Sequence, residues 1–272
     1  MIMPRVVVLS KGKSEMTYTS LWFEEFGYRE PIFVLSPGDD LENYQQTTGC
    51  QAIISDSYNL PSKRQWVLDN FTSKSCPWVI CFEDNIKRVT RVSQSHYHLP
   101  QIEQTTRGLY HADEIGPEDV IDNMLEDIKR AEAAEAYIGG YSSNDNHFFR
   151  KKKYRTVAFV WTKMFYMRRG GPQWPTYLDE KDDYGMTAEC LCYSGRTLVN
   201  NYLYPWAKRF EGRGGSPTLE ERAPGKKRCV QILMERFPKL FRIKNRAGYP
   251  EGTEIQLRFT SEKSIDKWRA EL

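Results

Sequence analysis

Short apolar runs alternate with segments of helical periodicity over the first third of the chain. The apolar runs predict strands, and they cover residues 5–9, 31–35, 52–54 and 79–82. Helices are indicated between them at 19–26 and 60–71, and a proline opens the second helix. Strands that alternate with helices in this way predict βαβ units, so we expect an α/β fold with a central, mostly parallel sheet flanked by helices.

The second half of the chain is less regular. We predict a helix with one apolar face at 116–137 and a strand at 156–161. A second strand, in which apolar and polar residues alternate strictly, is predicted at 254–259. Gly139 and Gly140 are expected to end that helix, and Ser261 is placed to cap a last one. Because no internal repeat or linker is evident, we expect one domain spanning residues 1–272.

Composition narrows the class of protein. A hydrophobic content of 40% with 13% aromatic residues excludes a disordered chain. No apolar run is long enough for a membrane span and the first residues do not form a secretory signal, so we expect a cytoplasmic protein without a membrane partner. The six cysteines include no C-x-x-C pair, which indicates neither a disulfide framework nor a zinc site.

Charge is unevenly distributed although the net charge is only +3. Residues 113–135 contain nine acids and two bases, whereas residues 147–170 contain eight bases and no acid. Residues 205–246 contain twelve bases and four acids. The carboxy-terminal half therefore has the charge pattern of a surface that binds an anionic partner.

Two acids and an amide, Glu83, Asp84 and Asn85, follow the buried strand at 79–82. Ligands of open α/β sheets bind at the carboxyl ends of strands, and oxygen ligands there suit Mg²⁺ or Mn²⁺. The alternative is a strand-to-turn junction, since Asp and Asn favour turns for local hydrogen-bonding reasons. The motif alone supports both interpretations equally.

A second acid cluster, at residues 179–185, leads into a helical segment. One carboxylate of such a pair, Asp182 or Asp183, can act as a general base while the other supports it. The alternative is a helix start at which acids interact favourably with the helix dipole, and the sequence by itself slightly favours this alternative.

A third candidate is the glycine-rich basic segment 208–216, in which Arg213, Gly214 and Gly215 could approach a phosphate closely. The alternative is a solvated loop. No Walker motif, no G-x-G-x-x-G after a strand and no G-x-S-x-G elbow occurs, so ATPase, dinucleotide-binding and α/β-hydrolase functions have little support.

Taken together, Ser10 and Lys11 after the first strand, Arg64 on the helix before the acidic strand, and the Glu83-Asp84-Asn85 triplet resemble a nucleotide-sugar glycosyltransferase of the GT-A type. The chain order is also similar to that of the TET-associated glycosyltransferases of tailed bacteriophages, which glycosylate hydroxymethylated pyrimidines in DNA. The similar stretches are Val6 to Lys13, Phe33 to Tyr44, Leu60 to Val89, Tyr177 to Gly195 and Tyr204 to Lys244. This chain has Glu-Asp-Asn where the family more often shows a run of aspartates.

The resemblance implies a metal-dependent hexosyl- or pentosyltransferase with a nucleotide-sugar-binding half, residues 1–110, and an acceptor-binding half, residues 111–272. It implies that Asp84 and then Asn85 hold Mn²⁺ or Mg²⁺. The residues that it implies for binding the UDP-sugar donor are Ser10, Lys11, Arg64, Glu83, Arg213, Gly214 and Gly215. Asp182 or Asp183 would face the acceptor hydroxyl, as the base in an inverting reaction or as a stabiliser of an oxocarbenium-like state in a retaining one.

The implied acceptor is 5-hydroxymethylcytosine in double-stranded DNA, or glucose already attached to it, and glucose is the first choice of sugar. Basic tracts at 150–155, 168–169 and 213–228 would grip the DNA, and aromatic residues beside them could stack on an extruded base. Those aromatic residues are Phe148, Phe149, Tyr154 and Trp174. We expect a monomer in the cytoplasm of an infected bacterial host; the alternative functions are a non-catalytic nucleic-acid-binding protein and a metal-dependent nuclease.

Overall fold

The computed structural model describes residues 2–12, 17–92, 112–141, 143, 153–207 and 219–271. The helices are α1 (Tyr18–Glu25), α2 (Leu41–Thr48), α3 (Leu60–Phe71), α4 (Pro117–Ala133), α5 (Asp182–Tyr193), α6 (Leu219–Arg236) and α7 (Glu262–Arg269). The strands are β1 (Arg5–Leu9), β2 (Ile32–Leu35), β3 (Gln51–Ile54), β4 (Trp78–Glu83), β5 (Ile86–Val92), β6 (Ala112–Ile115), β7 (Ile138–Tyr141), β8 (Tyr154–Arg155), β9 (Trp161–Arg168), β10 (Leu198–Asn200), β11 (Leu203–Ala207), β12 (Phe241–Ile243) and β13 (Ile255–Leu257).

The central sheet has eight strands in the order β3-β2-β1-β4-β9-β7-β10-β8. Six of them run in one direction, while β9 and β8 run in the other. A three-stranded sheet, β11-β5-β6, and a two-stranded sheet of β12 and β13 complete the strands of the described residues. The predicted α/β class with a mostly parallel sheet flanked by helices is confirmed.

Strand β4 is covered on both faces, as its apolar run predicts. Its residues Trp78, Ile80 and Phe82 pack into a core beneath α1, α2 and α4. Val79 and Cys81 point to the opposite face and pack into a core beneath α3 and α5. Because successive side chains of a strand alternate between faces, this pattern also decides where the residues after the strand point.

A third core joins the other face of α5 to α6, α7 and the hairpin of β12 and β13. The last helix begins as predicted, since the Ser261 side chain accepts a hydrogen bond from the Ser264 amide at 3.3 Å. Helix α5 therefore packs on the central sheet with one face and on the carboxy-terminal elements with the other.

The strand predicted at 156–161 is wrong. Val157, Ala158 and Val160 are buried, but the strand begins at Trp161 and continues to Arg168. The Ala158 amide donates to the Thr197 hydroxyl at 3.2 Å, and the Val160 amide donates to the Thr187 hydroxyl at 3.2 Å. Side chains thus satisfy backbone groups that a sheet ladder would otherwise satisfy, which permits a buried segment that is not a strand.

The expectation that Gly139 and Gly140 terminate a helix is also wrong. Helix α4 ends at Ala133, and the two glycines lie inside β7. A Cβ atom at Gly139 would lie 2.3 Å from the ring of Tyr166 on β9. Glycine is required there because a large neighbouring side chain crosses the strand at close range.

No helix of the described residues is long and apolar enough to cross a membrane. The six cysteines are all free. The division into two halves and the single-domain organisation stay predictions.

Candidate functional site

The candidate site lies at the sheet edge where β1 and β4 end and β9 begins. Leu9 at the end of β1 is in register with Glu83 at the end of β4, and β4 pairs with β9 in the antiparallel sense. Ser10, Asp84 and Lys163 are therefore brought to one edge of the sheet by the strand register alone.

Helix α1 holds the turn that carries the acidic triplet. The Thr19 hydroxyl donates to the Glu83 carbonyl at 2.5 Å, and the Thr19 amide donates to the Asp84 carbonyl at 3.3 Å. The Ile86 amide donates to the Thr19 hydroxyl at 3.0 Å. These bonds fix the backbone of the turn, so the two acidic side chains leave it in defined directions.

Glu83 and Asp84 are adjacent in sequence but belong to different clusters. Glu83 follows the face of Val79 and Cys81 and reaches α3 and β9. Asp84 instead contacts Ser10, whose hydroxyl also contacts Tyr44 of α2. The alternation of side chains along the strand explains this separation.

We define the acid–base cluster as Arg64, Glu83, Lys163 and Asp182. Arg64 binds the Glu83 carboxylate at 2.7 Å and also forms an ion pair with Asp182. Lys163 forms an ion pair with the other oxygen of Glu83. Four elements, α3, β4, β9 and the start of α5, thus meet through charged side chains.

The guanidinium of Arg64 is held in a fixed position because its side chain is only 1% exposed. It lies over the rings of Phe165 and Trp174, at 5.4 and 5.1 Å from the two centroids. The Trp174 indole also donates to the Asp182 carboxylate at 3.3 Å. Burial makes Arg64 a group that orients Asp182 and Glu83, since a buried charge needs good partners on every side.

Asp183 follows Asp182 in the first turn of α5 and is partly buried. Its carboxylate accepts a hydrogen bond from the Tyr184 amide at 2.9 Å. Burial, and after it the neighbouring charge of Asp182, raise the pKa of Asp183 from 3.8 to about 7, against the opposing effects of Lys181 and Arg64. A carboxyl group that titrates near neutral pH can both accept and return a proton under ordinary conditions.

We define the serine cluster as Ser10, Tyr44, Lys63 and Asp84. The Ser10 hydroxyl donates to Asp84 at 2.8 Å and lies 3.0 Å from the Tyr44 hydroxyl. The ammonium of Lys63 donates to the Ser10 carbonyl, and burial lowers the pKa of Lys63 to about 8. A buried lysine of α3 that bonds to the loop after β1 provides positive charge where an anionic ligand of the edge would lie.

Lys11 and Gly12, which follow Ser10, are exposed to solvent. The ammonium of Lys11 donates to the Tyr58 carbonyl at 3.0 Å. The Gly12 amide donates to the Asp39 carboxylate at 2.9 Å. The loops after β1, β2 and β3 thus meet at the same edge, next to the serine cluster.

The residues predicted to bind a metal do not assemble a metal site. Within the described part of the chain, no three His, Cys, Asp or Glu side chains are placed to hold an ion. Glu83 is paired with Arg64 and Lys163, and Asp84 is only 8% exposed and bonded to Ser10. Because magnesium-type sites often combine one or two protein oxygens with phosphate oxygens of a substrate, binding of an ion by Asp84 and Asn85 stays a prediction, and we derive no step through one.

The structure brings most of the predicted site residues together. Glu83, Arg64 and Asp182 are in contact, Asp183 is next to them in the chain, and Ser10 contacts Asp84. Lys11 and Asn85 directly follow Ser10 and Asp84 in the chain, whereas Arg213, Gly214 and Gly215 lie outside the described residues, as do Phe148 and Phe149.

The structure bears on three further expectations, which concern Arg64, Trp174 and the basic tract 168–169. Arg64 is buried between two acids, so its contact with a diphosphate stays a prediction. Trp174 is 2% exposed and packs on Arg64, so the expectation that it stacks on a base is wrong. Arg168 lies at the end of β9, opposite Trp78 at the start of β4, so the 168–169 tract is at the other edge of the sheet from Glu83.

Sequence reasoning missed Lys163 and Lys63. Lys163 is the only charged residue of β9 before Arg168, in a strand whose other residues are apolar or uncharged. A single charge in such a strand is a signal that could have been used to find it. Lys63 is one position before Arg64 on α3, but neither its burial nor its bond to Ser10 can be inferred from the sequence.

Comparisons with known proteins do not identify the chain. No protein-family model and no curated protein matches it. A protein of Desulfovibrio desulfuricans G20, provisionally assigned as a nucleotide-diphospho-sugar transferase, is 10% identical, with 74% of this chain and 80% of that chain covered and a TM-score of 0.41. The A197 protein of STIV is 9% identical, with 75% and 86% covered and a TM-score of 0.36. Likenesses at this level do not assign a function.

Proposed function

We propose that this protein is a glycosyltransferase that moves a sugar from a nucleoside diphosphate to an acceptor hydroxyl group. The observation that carries the proposal is the acid pair Asp182 and Asp183 at the carboxyl edge of the sheet, where Arg64 and Trp174 orient Asp182. Such an edge is where α/β folds bind nucleotides, and a paired carboxylate there can receive the proton of a hydroxyl.

The reaction makes two demands on the site. The acceptor oxygen attacks the anomeric carbon while the bond from that carbon to the diphosphate oxygen breaks, and the diphosphate leaves with the electron pair. In an inverting reaction the hydroxyl proton passes to a carboxylate, for which Asp183 is available because its pKa is about 7. In a retaining reaction the same carboxylates stabilise positive charge on the sugar ring.

The leaving diphosphate needs positive charge, and basic residues at the edge provide it. Lys163 is 19% exposed and is therefore the accessible base of the acid–base cluster. Lys11 is exposed, and Lys63 lies beneath the first loop. Placement of bases around a developing anion is the usual electrostatic contribution to such a transfer.

For the donor we propose a UDP-sugar, with UDP-glucose first, and for the acceptor 5-hydroxymethylcytosine in double-stranded DNA or glucose attached to it. Support for both comes from the resemblance in sequence to phage DNA glycosyltransferases. The roles of Ser10, Lys11, Glu83, Arg213, Gly214 and Gly215 toward the donor belong to the same proposal, as do a host-cell cytoplasmic location and a monomeric state. Metal dependence through Asp84 and Asn85 stays a prediction.

The decisive experiment incubates hydroxymethylcytosine-containing duplex DNA with the protein and a panel of UDP-sugars, and then weighs the released nucleosides by mass spectrometry. We expect added mass from one sugar, and a loss of about 10²-fold or more in transfer for Asp183→Asn. Lys129→Met, an exposed substitution on α4, is the control and should retain full activity.

Other outcomes would replace the proposal. DNA cleavage without any UDP-sugar would indicate a nuclease, and DNA binding with no UDP release from any donor would indicate a non-catalytic binding protein. Repeating the assay in EDTA and with added Mn²⁺ or Mg²⁺ tests metal dependence separately. Transfer that persists in EDTA would refute the metal prediction but not the proposed role of Asp182 and Asp183.

A further inference from the structure

The hairpin of β12 and β13 carries a concentrated positive charge. Between Pro238 and Pro250 the sequence has four bases and no acid. They are Lys239, Arg242, Lys244 and Arg246. This segment was included in the basic half of the chain by composition, but no role follows for it from the sequence.

The hairpin is anchored on one side and exposed on the other. Phe241 pairs with Leu257, and both are buried in the third core. Arg242 and Lys244 are exposed and, two residues apart, share the opposite side of an extended segment. Arg246 lies over the ring of Tyr249 at 4.4 Å, which holds its guanidinium in place.

These three bases have no acidic partner within the described part of the chain. Among the described ion pairs, Lys239 contacts Glu271 at 3.7 Å, whereas Arg242, Lys244 and Arg246 make none. Exposed bases without acidic partners keep their full charge available for a ligand. We call Arg242, Lys244 and Arg246 the basic hairpin.

The basic hairpin is connected directly to the proposed catalytic acids. The Lys244 amide donates to the Glu254 carbonyl at 2.9 Å across the hairpin. The Glu254 carboxylate forms an ion pair with Lys181 at 2.8 Å, and Lys181 immediately precedes Asp182 and Asp183. One backbone bond and one ion pair therefore separate the basic hairpin from the start of α5.

We propose that the basic hairpin binds the phosphate backbone of a nucleic-acid duplex and so delivers the acceptor to the acids at the start of α5. The binding part stands on charge and geometry, while the delivery part rests on the proposed function. Arg242 and Lys244, on alternate residues of the extended segment, are about 6.6 Å apart along the strand, and Arg246 follows them, which gives a short row of charge. A duplex strand presents a matching linear array of phosphates, and two-stranded ribbons are a known form of DNA-binding element.

The test measures binding of a fluorescein-labelled 30-base-pair duplex by fluorescence anisotropy over a range of salt concentrations. The variant is Arg242→Gln, Lys244→Gln and Arg246→Gln combined. The matched control is Lys74→Gln, Lys263→Gln and Lys267→Gln combined, three exposed bases elsewhere, which removes the same charge. Circular dichroism checks that both variants are folded.

We expect the hairpin variant to bind the duplex on the order of 10²-fold more weakly at about 0.1 M salt, with the slope of log K against log salt reduced by about 2–3. The control should change affinity by less than about 3-fold. Equal losses in the two variants, unchanged binding in the hairpin variant, or no duplex binding by the wild-type protein would each overturn the proposal.

The same proteins separate this proposal from the proposed function. Release of UDP from UDP-glucose without DNA should be equal in the wild-type protein and in the hairpin variant, since the substituted residues are outside the donor-binding edge. If the wild-type protein binds the duplex through the hairpin but releases no UDP from any donor, the glycosyltransferase proposal fails and the binding proposal stands.

Discussion

Replacing Asp183 with asparagine should make the protein more stable above neutral pH. Asp183 is partly buried beside Asp182, so its negative charge is costly in the folded state. Asparagine has the same shape, and its side-chain oxygen can still accept the hydrogen bond from the Tyr184 amide at 2.9 Å. The substitution therefore removes the unfavourable charge and leaves the local structure intact.

The sign and size follow from the pKa of Asp183, which is about 7 in the folded protein against an ordinary value of 3.8. Below pH 3.8 the group is protonated in both states and contributes no difference. Between 3.8 and about 7 the unfolded chain releases the proton while the folded chain retains it, so stability falls as pH rises. Above about 7 the cost is complete and constant.

A shift of about three pKa units corresponds to about 4 kcal/mol, because each unit is worth about 1.4 kcal/mol. Solvent screens a partly exposed carboxylate, so we expect a gain of about 1–3 kcal/mol for Asp183→Asn at about pH 8. The gain should shrink toward zero at about pH 4. The same substitution should abolish most of the transfer activity, so Asp183 would lower the stability of the protein while it serves the reaction.

Urea unfolding between about pH 4 and pH 8 measures the difference, with Asp122→Asn on α4 as the control for loss of an exposed carboxylate. The control should change stability by less than about 0.5 kcal/mol at every pH. If Asp183→Asn is no more stable than the wild-type protein at about pH 8, or if the gain is the same at both ends of the range, Asp183 is not a buried, costly charge.

Three further predictions concern other parts of the site and the sheet. Arg64→Met should destabilise the protein by about 3–5 kcal/mol in urea unfolding, because Glu83 and Asp182 lose a buried partner. Arg64→Lys keeps the positive charge and should destabilise the protein clearly less. Equal losses of stability in the two variants would contradict the ion-pair explanation. Gly139→Ala should lower the free energy of unfolding by more than about 2 kcal/mol, since the new Cβ atom would lie 2.3 Å from a tyrosine ring. Gly225→Ala in α6 is the control: its Cβ atom would lie 3.6 Å from the nearest atom, so stability should be unchanged or rise by up to about 1 kcal/mol. Ser10→Ala should cost about 1–2 kcal/mol of stability, because Asp84 loses the hydrogen bond from the Ser10 hydroxyl. It should also weaken UDP binding in calorimetry by about 10-fold; unchanged UDP affinity would remove Ser10 from the donor site.

The amino-terminal half of the fold could be predicted because its signals are local. Strands β1, β2 and β4 are short apolar runs. Helix α3 is capped by Asn59, whose side chain accepts a hydrogen bond from the Ser62 amide at 2.9 Å, and has Pro61 in its first turn. The prediction failed where a local signal had a non-local cause. Buried residues at 157–160 are not a strand because Thr187 and Thr197, far away in sequence, satisfy their amides.

The candidate site was predictable in the same limited sense. Glu83 and Asp84 were found because a strand end is visible in the sequence, and alternation along a strand predicts that they point to opposite faces, but the partners that each one meets cannot be inferred from the sequence. The contact between Arg64 and Asp182 joins residues 118 positions apart, and the burial of Arg64 under Trp174 depends on the packing of β9 and α5. Interactions of this kind are decided by tertiary structure, so patterns along the chain cannot reveal them.

The start of α5 joins the two proposed binding regions through consecutive side chains. Lys181 pairs with Glu254 of the hairpin, whereas Asp182 pairs with Arg64, which in turn holds Glu83 at the strand end. A shift of the hairpin on binding a phosphate backbone would therefore act on Lys181 and, through one peptide unit, on Asp182. Since Arg64 is buried and cannot follow freely, the shift would change the distance between Asp182 and its partner. Acceptor binding thus has a physical route by which it can alter the charge balance around Asp183, the carboxylate that receives the hydroxyl proton in the proposed inverting transfer.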